Sequence, residues 1–219
     1  MKNIMLLGAF IDNKGAQSMI FTVVDEIKKK YPSANVYILT NYDFDEEINK
    51  IYNFKFIKIN IKDKLRLSGN IFTLLSLIVK GKYNKLEQIK LKQIINEVDL
   101  FIDVSGFALS SKFSRNNTIN YLSQISLAQK FNKPIILFPQ SFGPFDYNMI
   151  EKPFIKFLIK KYLGYPIKIY AREKEGYEYL KSLNLNNIEL LVGTVFYKKD
   201  AYNLNNLIRG IYSIKKLNT

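Results

Sequence analysis

Short apolar runs alternate with longer amphipathic stretches along most of the chain. Most runs are apolar at nearly every position, which is typical of strands covered by helices on both faces of a sheet. The run over 54–60 comes closer to strict alternation and is expected nearer the edge of the sheet. The pattern predicts seven strands, over residues 4–10, 35–40, 54–60, 99–105, 134–139, 167–171 and 188–192.

Helical periodicity fills the intervals between these runs. It predicts helices over residues 18–30, 85–97, 118–131, 147–163 and 174–183, with a further helix over 71–79 inside the less regular segment 62–84. Strands that alternate with helices predict an α/β fold built on a doubly wound, mostly parallel sheet. We expect one domain over residues 1–197 and a polar tail over 198–219, which is either a tail or the start of a second half.

The composition excludes several classes of chemistry. The chain has 219 residues, of which 47 % are hydrophobic, enough for one large domain with a substantial core. It contains no cysteine and no histidine. Disulfides, thiolate catalysis and a histidine base are therefore excluded, and a transition-metal site is not expected.

The formal net charge of +14 favours anionic partners. A bias toward A/T-rich codons explains the abundance of Lys, Asn, Ile, Tyr and Phe equally well. Only four of the basic residues are arginines, and no nucleic-acid module is recognisable, so a nucleic-acid partner is not expected. Neither a signal peptide nor an apolar stretch long enough to span a bilayer is visible, which predicts a cytoplasmic protein.

Four segments that follow predicted strands carry candidate chemistry, because ligands of open parallel sheets bind beyond the carboxyl ends of the strands. The first, 8–16, combines Gly8, Asn13 and Gly15 before a helix N-terminus that offers free N–H groups to an anion. A plain strand-to-helix turn explains it as well. The second, 103–108, begins with Asp103, which either binds a sugar hydroxyl or caps the next turn.

The third segment, 138–145, holds Gln140 and Ser141 in a backbone restrained by two prolines and Gly143. Rigid loops with polar tips suit ligand recognition. In the fourth segment, Arg172 closes one strand and opens a helix, where its guanidinium either grips a carboxylate or phosphate or pairs with Glu173 or Glu175.

Together these segments resemble a known family. The motifs NKGA over 13–16, DVSG over 103–106, QSFGP over 140–144 and ARE over 171–173 are similar to the ordered signatures of polysaccharide pyruvyl transferases. The resemblance runs in register from about residue 3 to residue 192. It implies a Rossmann-like domain that is one half of a GT-B-like architecture, without metal or cofactor.

The resemblance also implies an activity, the transfer of a pyruvyl group from phosphoenolpyruvate to two hydroxyls of a sugar. The sugar would belong to a cell-surface polysaccharide of a bacterium or to its lipid-linked precursor. Arg172 is the candidate for the phosphoenolpyruvate anion, and Asp103 and Arg172 are the catalytic candidates. The candidate substrate-binding residues are Gly8, Asn13, Gly15, Asp103, Ser105, Gly106, Gln140, Ser141, Gly143 and Arg172.

The sequence also departs from the family pattern. Members continue into a second α/β domain with a catalytic histidine, and GTVF over 193–196 lacks the usual aspartate. We therefore expect an N-terminal half, natural, frameshifted or completed by a partner chain, with negligible activity alone. Two alternatives are the acceptor-binding half of a GT-B glycosyltransferase and a non-catalytic docking domain.

The lysine pattern of one predicted helix indicates a membrane contact. Lysines recur every fourth residue in the predicted helix 147–163, while its apolar residues are expected to pack on the sheet. The lysine stripe would then meet an anionic membrane peripherally, or simply form a solvated face. The stripe consists of Lys152, Lys156 and Lys160.

Overall fold

A computed structural model describes residues 2–9, 14–41, 52–81 and 83–191 of the chain. Strands and helices alternate through these residues. The strands are β1 (Asn3–Leu7), β2 (Asn35–Thr40), β3 (Lys55–Lys58), β4 (Leu100–Asp103), β5 (Phe107–Leu109), β6 (Ile135–Phe142), β7 (Lys168–Ala171) and β8 (Ile188–Leu190). The helices are α1 (Lys14–Lys30), α2 (Ile61–Ser68), α3 (Asn70–Ile78), α4 (Lys85–Glu97), α5 (Arg115–Lys130), α6 (Lys152–Leu163) and α7 (Lys174–Lys181).

The strands form one eight-stranded sheet in the order β3-β2-β1-β4-β6-β7-β8, with β5 attached to β6. Every described pairing is parallel. The connections leave the central pair β1 and β4 in opposite directions, so these two strands form the switch point of a doubly wound sheet. The predicted α/β, Rossmann-like fold is confirmed. Among the described strands, β3 and β8 lie at the two margins of the sheet.

The side chains of β1 show why its run is apolar throughout. Ile4 and Leu6 belong to the core on one face of the sheet, together with residues of α1. Met5 and Leu7 belong to the core on the other face, against helices that include α5 and α6. Because successive side chains of a strand point to opposite faces, a strand covered on both sides must be apolar at every position.

The predicted strand bounds are wrong around residues 99–109. The strand predicted over 99–105 ends at Asp103, because the N–H of Ser105 turns back to donate to the Asp103 carboxylate and Gly106 takes a φ of +68°. The chain then forms β5, which was not predicted. The partner strand predicted over 134–139 reaches Phe142, since β5 gives its last residues a neighbour.

Several helix starts differ from those predicted, for reasons visible in their first turns. Helix α5 begins at Arg115 rather than at 118, because the Ser114 hydroxyl caps it by accepting from the Asn117 N–H. Helix α6 begins at Lys152 rather than at 147, with Pro153 in the first turn, where a missing N–H costs nothing. The unclear segment 62–84 is largely helical: α2 begins just before it at Ile61, and Gly69, at a φ of +73°, separates α2 from α3.

Candidate functional site

Two candidate residues, Gly8 and Ser105, approach each other closely at the switch point between β1 and β4. Gly8 directly follows β1 and has a φ of +69°, a conformation that L side chains rarely adopt. A Cβ atom at this position would lie 1.9 Å from the Ser105 hydroxyl oxygen and 3.0 Å from the Ser105 Cα. Glycine is therefore required here for backbone conformation and for the approach of the two chain segments.

Asp103 lies directly beside this contact at the end of β4, and its side chain is fully buried. One carboxylate oxygen, Oδ1, accepts the Ser105 N–H at 3.0 Å and the Gln140 side-chain amide at 3.3 Å. The Gln140 carbonyl oxygen in turn accepts the Tyr121 hydroxyl at 3.0 Å. The chain Tyr121–Gln140–Asp103 thus joins α5, β6 and β4 through the interior.

The second carboxylate oxygen of Asp103, Oδ2, is buried and has no hydrogen-bond partner among the described residues. Burial raises the pKa of Asp103 to about 6, although the hydrogen bonds from Ser105 and Gln140 and the nearby Lys64 favour the charged form. Burial also raises the pKa of Tyr121 well above its usual range, so that its hydroxyl keeps its proton and donates. Asp103 therefore titrates close to neutral pH, but solvent does not reach it.

Lys64 on α2 provides the cation near Asp103, and only 8 % of its surface is exposed. Its ammonium group lies 3.4 Å from the Asn120 carbonyl oxygen. Burial lowers the pKa of Lys64 to about 7, while the Asp103 carboxylate opposes that shift. The interior thus holds an acid and a base that both change charge near neutral pH.

A second group of candidates lies on the solvent side of β6 and β7. The Arg172 guanidinium donates to the Ser141 hydroxyl at 2.6 Å, and Ser141 donates to the Glu173 carboxylate at 2.9 Å. The Arg172 Nε atom lies 3.6 Å from Glu173, which is the ion pair considered as an alternative from the sequence. Arg172 remains half-exposed, and these contacts occupy only part of its five N–H donors.

The remaining candidates hold the backbone of this edge. The Gly106 carbonyl accepts the Ser141 N–H at 2.8 Å, which joins the loop after β4 to β6. Gly143 has a φ of +77° and precedes a cis proline, and a Cβ atom at this position would lie 2.3 Å from the ring of Tyr179. Gly15 lies in the first turn of α1. Asn13 lies outside the described residues, so its predicted role stays a prediction.

The described candidates therefore lie toward one edge of the sheet, in two groups. Buried residues connect Gly8, Ser105, Asp103 and Gln140, whereas Ser141 and Arg172 face solvent. Sequence reasoning missed the interior partners of Asp103, namely Lys64 and Tyr121. Within residues 2–9, 14–41, 52–81 and 83–191, no group of three acidic residues is placed to hold a metal ion.

Two solved structures are similar to this chain at low sequence identity. A dTDP-glucose 4,6-dehydratase from Bacillus anthracis in complex with NAD is 13 % identical, with a TM-score of 0.42 over 78 % of this chain and 54 % of the dehydratase. The GsuK channel bound to NAD is 10 % identical, with a TM-score of 0.35 over 85 % of this chain and 21 % of the channel. This chain thus spans about half the length of the dehydratase.

No curated protein matches the chain. A family model, described as polysaccharide pyruvyl transferase, matches residues 13–214. That match covers most of the chain and includes the segments 103–106, 140–144 and 171–173, on which the sequence resemblance rests. The chain therefore belongs to the polysaccharide pyruvyl transferase family, which is a family of transferases.

Proposed function

We propose that this chain takes part in moving a pyruvyl group from phosphoenolpyruvate to two hydroxyls of a sugar in a cell-surface polysaccharide or its precursor. The observation that carries the proposal is the half-exposed Arg172, held by Ser141 and Glu173 at the carboxyl edge of the sheet. A guanidinium in this position binds a carboxylate or phosphate through paired N–H donors.

The reaction balances without a redox partner. One sugar hydroxyl adds to C2 of phosphoenolpyruvate, and its proton or an equivalent one moves to the methylene carbon, which becomes a methyl group. The second hydroxyl then forms the other C–O bond at C2, the bond from C2 to the phosphate oxygen breaks, and inorganic phosphate leaves with the remaining proton. Arg172 holds the anion during these steps, and Asp103 acts as a positioning residue that fixes the Ser105 turn and Gln140.

Phosphoenolpyruvate should bind the wild-type chain, and Arg172→Gln should weaken that binding about tenfold or more, because a charge-assisted contact to the anion is lost. Isothermal titration calorimetry measures the change. Arg115→Gln is the matched control, since Arg115 pairs with Glu151 at 2.7 Å and is not among the candidates. Equal losses in both variants would contradict a specific role for Arg172. Tighter binding of a nucleotide sugar than of phosphoenolpyruvate would favour the acceptor-binding half of a glycosyltransferase.

We also propose that α6 and the turn before it touch an anionic membrane, where a lipid-linked acceptor would lie. The apolar residues Ile155, Leu158, Ile159 and Tyr162 are buried, as predicted. Apolar side chains are exposed near these lysines as well: Phe157 is 61 % exposed, and Met149 and Ile150 are each 92 % exposed. No described helix is long and apolar enough to cross a bilayer, so the proposal concerns surface contact.

Sedimentation with anionic and neutral vesicles tests this contact. Changing Lys152, Lys156 and Lys160 together to Gln should weaken binding to anionic vesicles about a hundredfold at low salt, since each lysine contributes about 1 kcal/mol. The matched control changes Lys85, Lys90 and Lys92 of α4, which are also exposed, and should have little effect. Equal binding to both vesicle types, or equal losses in both triple variants, would rule out the contact.

A further inference from the structure

A pocket beside the switch point has a polar lining that the proposed transfer does not use. It lies between the ends of β1, β2 and β3 on one side and helices α2 and α5 on the other. It encloses about 520 Å³ of space, its open mouth included. Gly8 and Thr40 lie at the strand ends, and Lys64, Asn120 and Gln124 approach from the helices. We refer to it as the Lys64 pocket.

Lys64 is the one charged side chain among the described residues that line the pocket. Among the described residues, no carboxylate lies within ion-pair distance of its ammonium group, although Asp103 is close enough to influence its charge. The carbonyl oxygen of Asn120, at 3.4 Å, is a long and neutral partner. A buried cation with so little compensation favours an anion that enters the pocket from outside.

Two side-chain amides of α5 add a second, independent observation. The Gln124 carbonyl oxygen is buried without a hydrogen-bond partner among the described residues, and only 6 % of the Gln124 surface is exposed. The Asn120 side-chain oxygen, one helical turn earlier, is also buried without a hydrogen-bond partner among the described residues. Buried acceptors without partners are costly, and hydroxyl groups are the natural donors to them. Leu39, Ile59 and Ile61 supply apolar walls between these polar points.

We infer that the Lys64 pocket binds a small molecule that carries a carboxylate or phosphate next to hydroxyl groups, as a sugar acid or a sugar phosphate does. The oxyanion pairs with the Lys64 ammonium group. The hydroxyls donate to Asn120 and Gln124, and the carbon skeleton lies against the apolar walls. The site shares Gly8 with the candidate transfer site, but it does not require that pyruvyl transfer occurs.

Calorimetry on the full chain with glucose 6-phosphate, glucuronate, glucose and inorganic phosphate tests this site. At least one of the two sugar anions should bind at least about tenfold more tightly than glucose or phosphate, and the stronger of the two identifies the source of the charge. Lys64→Met should abolish that preference, whereas Lys62→Met on the same helix should retain it. Gln124→Leu should weaken the binding of the sugar anions and leave the binding of inorganic phosphate unchanged. Phosphoenolpyruvate and Arg172 have no part in this test, so its failure is distinct from failure of the proposed transfer.

Proton uptake gives a readout that does not depend on how well a variant folds. The chain has no histidine and no cysteine, and Lys64 is the one charged side chain among the described residues that line the pocket, so it is placed to take up a proton when an anion enters near pH 8. Binding of glucuronate, which stays ionised there, should draw a proton from the buffer, seen as a heat that varies with the buffer's ionisation enthalpy. Binding of glucose that equals binding of the anions, or equal losses in Lys64→Met and Lys62→Met, would overturn the inference.

Discussion

Gly8→Ala should lower the free energy of unfolding by about 2–5 kcal/mol, which makes it one of the most damaging single-atom additions in the molecule. Part of the loss comes from forcing an L side chain to a φ of +69°, and part from the methyl group that would meet Ser105 at 1.9 Å. Urea unfolding followed by circular dichroism measures it. Gly164→Ala is the matched control, because Gly164 has a φ of −72° and its nearest contacts are at 3.5 Å or more.

A double variant separates the two causes. Ser105→Gly removes the hydroxyl and the Cβ that an alanine at position 8 would meet, but it leaves the backbone conformation of Gly8 unchanged. The loss caused by Gly8→Ala should therefore be smaller in the Ser105→Gly background, with a coupling of about 1–3 kcal/mol. Strictly additive effects would show that the contact between the two segments is not what requires glycine.

The second large effect concerns pH. The pKa of Lys64 is lowered to about 7 in the folded chain, against 10.5 for an ordinary lysine. The unfolded chain therefore binds more protons between these values, and this residue's contribution to stability rises as the pH increases from about 7 to about 10. Below pH 7 the full cost of charging the buried amine applies. The stability gained by Lys64→Met over the wild type should accordingly shrink by a few kcal/mol across this range.

Asp103 also makes the stability advantage of Lys64→Met over the wild type shrink as the pH increases. Its pKa is raised to about 6, so its own contribution to stability falls as the pH increases from about 4 to 6. Without Lys64 the carboxylate loses its neighbouring cation, and its ionisation costs the variant more at higher pH. Unfolding by urea at several pH values, with Lys62→Met as the control, measures the difference. A pH-independent difference between Lys64→Met and the wild type would contradict the burial of a titrating amine.

The sequence was sufficient for the fold where one periodicity dominated. The apolar run of β1 and the amphipathic pattern of α4 predicted their elements because burial on two faces or one leaves a distinct repeat. The sequence was insufficient where a few hydrogen bonds decide the path of the backbone. Strand β5 has three residues and exists because β6 offers it a partner, a condition that no local pattern records.

The candidate site shows the same division. Gly8, Gln140 and Arg172 were found because each lies at or directly after the end of a predicted strand, and parallel strands gather such positions at one edge. Lys64 was missed because lysine is seldom buried, and its burial follows from the packing of α2 against α5. Tyr121 looked like an ordinary core residue of α5, since its hydrogen bond to Gln140 depends on tertiary structure alone.

The two margins of the sheet bear on how this protein behaves at high concentration. Strand β3 has a lysine at each end, Lys55 and Lys58, and both are exposed. Strand β8 has three residues and carries Glu189, paired with Lys168 at 2.8 Å. A copy that stacked its own β3 on this margin would bring like charges together, and the three-residue β8 offers few groups for pairing. The two exposed lysines of β3 and the short length of β8 thus disfavour edge-to-edge pairing of copies through these two strands.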